Sequence, residues 1–164
     1  MRVDVITEKS TQKFDANSTF FVEQANSRAM VNQQTYCKLY GKIVKAFVPA
    51  NVSTVGSQTD EKAFTMLIAC YESCINKAAS ADAKQICIRP LGTGIQLTKI
   101  DQNGEVVLNG LWGDLFWTHS KSSMAAKKAV ENTFSIIPDS VSLTFIVPKE
   151  NFDDWAWAYN FNVV

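Results

Sequence analysis

Apolar positions along the chain follow two periods, and their order sets the expected architecture. Val3 and Val5, and later Phe20-Phe21-Val22, predict two strands separated by the polar run Glu8 to Lys13. A weaker pattern from Ser27 to Tyr40 predicts a helix, and Ile43 to Val48 is a short β-rich run stopped by Pro49. Phe64, Leu67, Ile68, Tyr71, Cys74, Ile75 and Ala78 recur at three- and four-residue steps, which predicts one apolar stripe on a helix from Asp60 to Ala78. Ser57 with Asp60 has the form of a capping box for it.

Gln85 to Leu91 reads as a buried strand running into the turn Gly92-Thr93-Gly94-Ile95. Two short apolar runs, Gln96 to Ile100 and Glu105 to Leu108, flank Asp101-Gln102-Asn103-Gly104. An Asn-Gly pair in that setting predicts a projecting hairpin. A helix from Ser122 to Phe134, a strand from Val141 to Val147 and a last helix around Phe152, Trp155, Ala156 and Tyr159 complete the series. In that last helix Trp155 and Tyr159 share a face and are expected in the core, with Trp157 on another face. Strands alternating with helices imply one three-layer α/β/α domain over residues 1–164, with a mixed central sheet and an inserted β-hairpin near residues 96–108.

Composition narrows the function classes. A 46% hydrophobic fraction is that of a globular domain able to bury a core. Sixteen basic residues balance sixteen acidic ones, so the broad positive field that drives phosphate-backbone binding is missing and nucleic acid is a disfavoured partner. No window approaches the roughly 20 apolar residues of a membrane span, and a cytoplasmic protein is expected. Cys37, Cys70, Cys74 and Cys87 fall inside regular apolar segments and read as buried thiols. Cys70 and Cys74 share a helix face, but no histidine pair completes a zinc site, and no metal is expected.

The candidate chemistry lies in the glycine turn and in a few aromatic and titratable residues. Gly92, Thr93, Gly94 and Ile95 could bring backbone close to a ligand, or simply join strand to hairpin. Asn26 offers both a donor and an acceptor, or satisfies its own backbone in a turn. Trp112, Phe116 and Trp117 could stack on a base, anchor a partner protein, or pack in the core. His119 is the single histidine, at the start of a helix, with no nucleophile placed beside it by the sequence. Glu23, beside Gln24, would repel an anionic ligand there unless it points elsewhere.

Three windows carry a family resemblance. Phe21-Val22-Glu23-Gln24-Ala25-Asn26-Ser27 is similar to the Val-Asn-Ala-Ala-Asn-Ser strand end of macro domains, Ala-Asn-Ser being identical. Ala46-Phe47-Val48-Pro49 resembles the family's His-Ala-Val-Gly-Pro strand, and the helix from Asp60 holds a tyrosine near the family's usual place. Gln85 to Ile95, with its buried strand, proline and Gly-Thr-Gly-Ile, most resembles the family's phosphate loop.

The resemblance implies an ADP-ribose-binding module, with Asn26 and Gly92 to Ile95 as ligand residues and ADP-ribosyl hydrolysis as the activity if there is one. Three departures weaken hydrolysis: no glycine lies in Arg28 to Gln34, the span from Asn26 to Val48 is short, and Thr7-Glu8 stand where an adenine-binding aspartate is expected. The competing reading is a macro-like scaffold that contacts proteins through the hairpin and its aromatics.

Overall fold

The computed structural model describes residues 1–8, 14–25, 36–49, 60–93, 98–100, 106–108 and 117–161. Six strands form one sheet: β1 (Arg2–Thr7), β2 (Thr19–Gln24), β3 (Cys37–Tyr40), β4 (Ile43–Ala46), β5 (Gln85–Ile88) and β8 (Ser142–Val147), in the order β1-β8-β5-β2-β4-β3. All neighbours pair in parallel except β3, which closes the edge antiparallel to β4. Two further strands, β6 (Thr98–Ile100) and β7 (Val106–Leu108), form the expected hairpin as a separate antiparallel pair. The sheet is mixed and the domain α/β, as the order of periodic segments predicts.

Alternation within the strands separates two faces. Register aligns Val3, Leu143, Ile86 and Phe20 in one row, and Val5, Phe145, Ile88, Val22 and Val44 in the next. All nine are buried and belong to one contiguous core. Helix α1 (Asp60–Ser80) presses Leu67, Cys70, Tyr71, Cys74, Ile75 and Ala78 into this face: five residues of the predicted stripe with Cys70 added, while Phe64 and Ile68 are half-buried beside them. It ends at Asp82, whose φ of 67° reverses the chain while Ala83 N–H reaches Ala78 O and Asp82 N–H reaches Ala79 O, a Schellman pattern with aspartate in the glycine place.

Helix α2 (His119–Thr133) is capped by Thr118, whose hydroxyl accepts from Lys121 N–H at 3.1 Å. The crossovers β4-α1-β5 and β5-α2-β8 move the same way across the sheet, so a uniform hand puts both helices on one face, where they pack together.

Two expectations need correction. Cys37 to Tyr40 is strand, not the end of a helix that starts at Ser27; residues 26–35 lie outside the described set. The signal is the two-residue link Gly41-Lys42 between Tyr40 and its partner Ile43. Gly41 at φ +60° occupies the first central position, where a type II′ hairpin turn calls for glycine. The last helix is two short pieces, α3 (Phe152–Trp155) and α4 (Trp157–Asn160), after a 3-10 turn at Lys149–Asn151. Bonds spanning three residues, Ala156 to Asp153, Tyr159 to Ala156 and Phe161 to Ala158, wind this stretch more tightly than an α-helix and rotate its faces. Trp155 is therefore fully buried as expected, whereas Tyr159 is 67% exposed. Trp157 packs inward on Phe145 and donates to Ser123 Oγ at 2.7 Å. The capping role of Ser57 lies outside the described residues.

Phe145 is the centre of this corner, with ring centroids 5.2 Å from Trp155 and 5.5 Å from Trp157. Phe145→Ala is expected to cost about 3–5 kcal/mol in urea unfolding. Ile136→Ser, on a side chain that is 67% exposed, should stay within about 0.5 kcal/mol of the parent. Equal losses in the two variants would contradict the placement of this core.

Candidate functional site

Ligands of parallel α/β sheets lie beyond the carboxyl ends of the strands, where neighbouring strands send the chain in opposite directions. After β2 the chain goes to β3 and β4 on one side, and after β5 it goes to β8 on the other. The switch point is therefore between the end of β2, at Gln24, and the end of β5, which runs on to Leu91, Gly92 and Thr93.

This loop is held from four directions. Leu91 N–H donates to Tyr71 Oη at 2.8 Å, and Ser122 Oγ donates to Leu91 O at 2.6 Å. Each hydroxyl has one proton, and that of Ser122 is used on the carbonyl, so Tyr71 must donate to Ser122 across their 2.6 Å contact. The ring is closed: Leu91 amide to Tyr71, Tyr71 to Ser122, Ser122 back to the Leu91 carbonyl. Burial raises the Tyr71 phenol well above its ordinary value, which keeps that proton in place. One residue on, Gly92 N–H donates to Gln24 Oε1 at 2.8 Å and Gly92 O accepts from Trp117 N–H at 2.7 Å.

Gly92 has no room for a side chain. Its φ is +81°, and a Cβ would stand 2.5 Å from Trp117 Cδ1 and 3.1 Å from Val48 Cγ1. Trp117 fills that corner with 3% exposure, its indole N–H donating to Pro49 O at 2.7 Å. This corrects two expectations. Trp117 is a core residue whose face is spent on Gly92 and whose N–H is satisfied, so it is no surface anchor for a partner. The N–H of Gly92 is already taken by Gln24, so the part this glycine plays is to shape the turn.

Gln24 is the residue that sequence reasoning missed. It continues the buried row Phe20, Val22, and is 4% exposed. Its Oε1 holds Gly92, while its Nε2 has no hydrogen-bond partner among the described residues, and neither has the solvent-shielded Oγ1 of Thr93. The one other such atom, Thr19 Oγ1, lies at the opposite end of β2. A buried polar atom without a partner costs about 1–3 kcal/mol, so these two are the described polar atoms at this strand end that remain open to a further hydrogen bond. The available signal was a glutamine in phase with the apolar face of a strand.

The remaining candidates separate. Glu23 points to the other face and pairs with Lys45 Nζ at 2.8 Å, away from Gln24. His119 Nδ1 accepts from Trp155 Nε1 at 3.3 Å, an arrangement that requires the neutral ring with its proton on Nε2. Desolvation lowers its pKa, against the opposing pull of Asp154, Glu150 and Glu8. Asn26, Gly94, Ile95, Trp112 and Phe116 lie outside the described residues. Among those described, no group of three or more His, Cys, Asp or Glu side chains could hold a metal, and no helix is long and apolar enough to cross a membrane. No protein-family model matches the chain, and no curated protein matches it significantly.

Two outcomes are expected. Gly92→Ala should destabilise by at least about 1–3 kcal/mol, from the left-handed backbone alone, and shift tryptophan fluorescence as Trp117 is displaced; a neutral result would contradict the contact. For His119 the folded-state pKa lies below the unfolded value of about 6.5. Its contribution is thus complete above that value and is lost as pH falls through the folded-state one. The urea midpoint should drop between about pH 7.5 and pH 5.5, and the drop should shrink in His119→Gln, which keeps an acceptor for Trp155 without titrating. An unchanged drop would assign the pH dependence to other groups.

Proposed function

We propose that the chain is a binding module for a nucleotide diphosphate, with ADP-ribose the form that its resemblance to macro domains implies. The observation that carries this reading is the pair of unpartnered buried atoms, Gln24 Nε2 and Thr93 Oγ1, at the switch point of a parallel sheet. An amide N–H and a hydroxyl are neutral donors suited to ribose or phosphate oxygens, and the Gln24 side chain at the end of β2 is already tied to the β5 loop through Gly92, so little ordering accompanies binding. Thr93, Gly94 and Ile95 would supply the further N–H groups, and Asn26, two residues past Gln24, the ribose contact. Support for hydrolysis is weaker, because the single histidine has its Nδ1 engaged by Trp155.

Thr93→Val separates binding from folding. It removes a hydroxyl that has no partner in the protein, so stability should hold or rise. Affinity for ADP-ribose in isothermal titration should fall about three- to tenfold, the worth of roughly one hydrogen bond. Absence of heat with the parent protein at millimolar ligand, or equal affinity in the variant, would defeat the reading.

A further inference from the structure

A pocket of about 340 Å³ lies at the rim of the sheet opposite the switch point, where β1, β8 and β5 begin. Register sets Arg2, Ser142 and Gln85 side by side on these three strands, and Asp4 beside Thr144 one row further along. These positions alternate with the core residues Val3, Leu143 and Ile86, so their side chains stand on the sheet face turned away from α1. All five line the pocket, and Tyr159, which the tight winding at Ala156 turns out of the core, lines it from α4.

Its polar groups are placed but not used up. Thr144 is buried, and its hydroxyl accepts from Gln85 Nε2 at 2.9 Å; the same nitrogen reaches Ile86 O at 3.2 Å. The Gln85 amide is thereby pinned by its nitrogen. Among the described residues, no donor engages Gln85 Oε1 and no acceptor takes the Thr144 proton. The two charges are also separate. Arg2 is exposed at the rim and Asp4 is half-buried, one of its oxygens accepting from Val5 N–H at 2.8 Å. They are two residues apart on one strand face, yet among the described residues neither enters an ion pair.

We propose that this pocket binds a free α-amino acid with an apolar or aromatic side chain. Arg2 takes the ligand's carboxylate through its guanidinium fork, with the Ser142 and Thr144 hydroxyls as further donors. The second oxygen of Asp4 and Gln85 Oε1 take the ammonium, and the Tyr159 ring lies against the side chain. A ligand of one charge fits less well, because an anion meets Asp4 and a cation meets Arg2. A neutral polyol would use the hydroxyls and the amide but neither charge. The volume lies at the small end of ligand pockets, which suits a molecule of this size. This inference stands apart from the nucleotide reading, since it uses none of the residues at the β2–β5 switch point.

The test is isothermal titration of the whole protein with L-phenylalanine and L-leucine, beside hydrocinnamate, which lacks the ammonium, phenethylamine, which lacks the carboxylate, and glucose. Saturable binding of at least one amino acid is expected, with the two single-charge analogues and glucose at least about tenfold weaker. Asp4→Asn keeps an acceptor for Val5 N–H, and Arg2→Gln alters an exposed side chain, so the urea midpoint should hold in both. Each should weaken the amino acid at least about tenfold. Asp4→Asn should leave hydrocinnamate binding equal or better, and Arg2→Gln should do the same for phenethylamine. ADP-ribose titrations should not change in either variant, which keeps the two sites distinguishable. No saturation by either amino acid at millimolar concentration, equal affinity in the variants, or binding of glucose alone would overturn the assignment.

Discussion

Three groups that would each be costly alone, a backbone amide, a phenol and a serine hydroxyl, satisfy one another in a ring closed by the Leu91 carbonyl. The ring joins α1 through Tyr71, α2 through Ser122 and the end of β5 through Leu91. Each of these oxygens and nitrogens is buried, so the loss of one would leave its neighbours unpaired in a medium that cannot hydrate them. The interaction also sets direction. With both polar groups of Leu91 fixed, the next peptide has only one way to turn, and Gly92 takes it at positive φ between Val48 and Trp117. The shape of the β5 loop thus follows from the seam where the two helices meet over the sheet.

That seam explains why the candidate site stands where it does. Parallel pairing from β1 to β4 brings all the carboxyl ends to one rim, and the reversal between β2 and β5 parts the connections there. Gln24 divides its two ends between structure and chemistry: the oxygen binds Gly92 and the nitrogen is left over. A carboxylate could take the first part but would set a negative charge beside an anionic ligand. An aliphatic side chain could take neither. An amide is the group that holds a backbone N–H and still presents a donor.

How much of this was legible depended on whether one element or several decided the outcome. Helix α1 and the strands β1, β2, β4, β5 and β8 announce themselves by period, because each buries one face against the same sheet or core. The β3 edge was misread because Cys37-Lys38-Leu39-Tyr40 lacks the β-branched residues that mark β4 and β5, and its turn lies in Gly41-Lys42 rather than in an Asn-Gly pair. Tyr159 was misread because one extra twist at Ala156 turns the following face outward, and such a twist is set by tertiary packing on Phe145. Gly92 was singled out correctly as a special residue, but its reason is a tryptophan 25 positions further on, which no local pattern reveals. Gln24 carried a signal, a polar residue in phase with Phe20 and Val22, that only became readable once its partner across the strand end was known.

The pair Glu23 and Gln24 shows how a strand resolves an apparent conflict of charge. Read as neighbours, an acid and an amide at the mouth of the proposed diphosphate site oppose each other. Successive side chains on a strand point to opposite faces, however, so the carboxylate and the amide are separated by the thickness of the sheet. Glu23 is neutralised there by Lys45 on the adjacent strand β4, in register, with both side chains partly in solvent. An exposed pair of this kind adds little stability. Its effect is to hold the acid on the outer face, while Gln24 shares the inner row with Ala46 and Cys37 across three strands. The same alternation that buries the core therefore sorts the charges, and it leaves the Gln24 amide, not the Glu23 carboxylate, on the inner face at the end of β2.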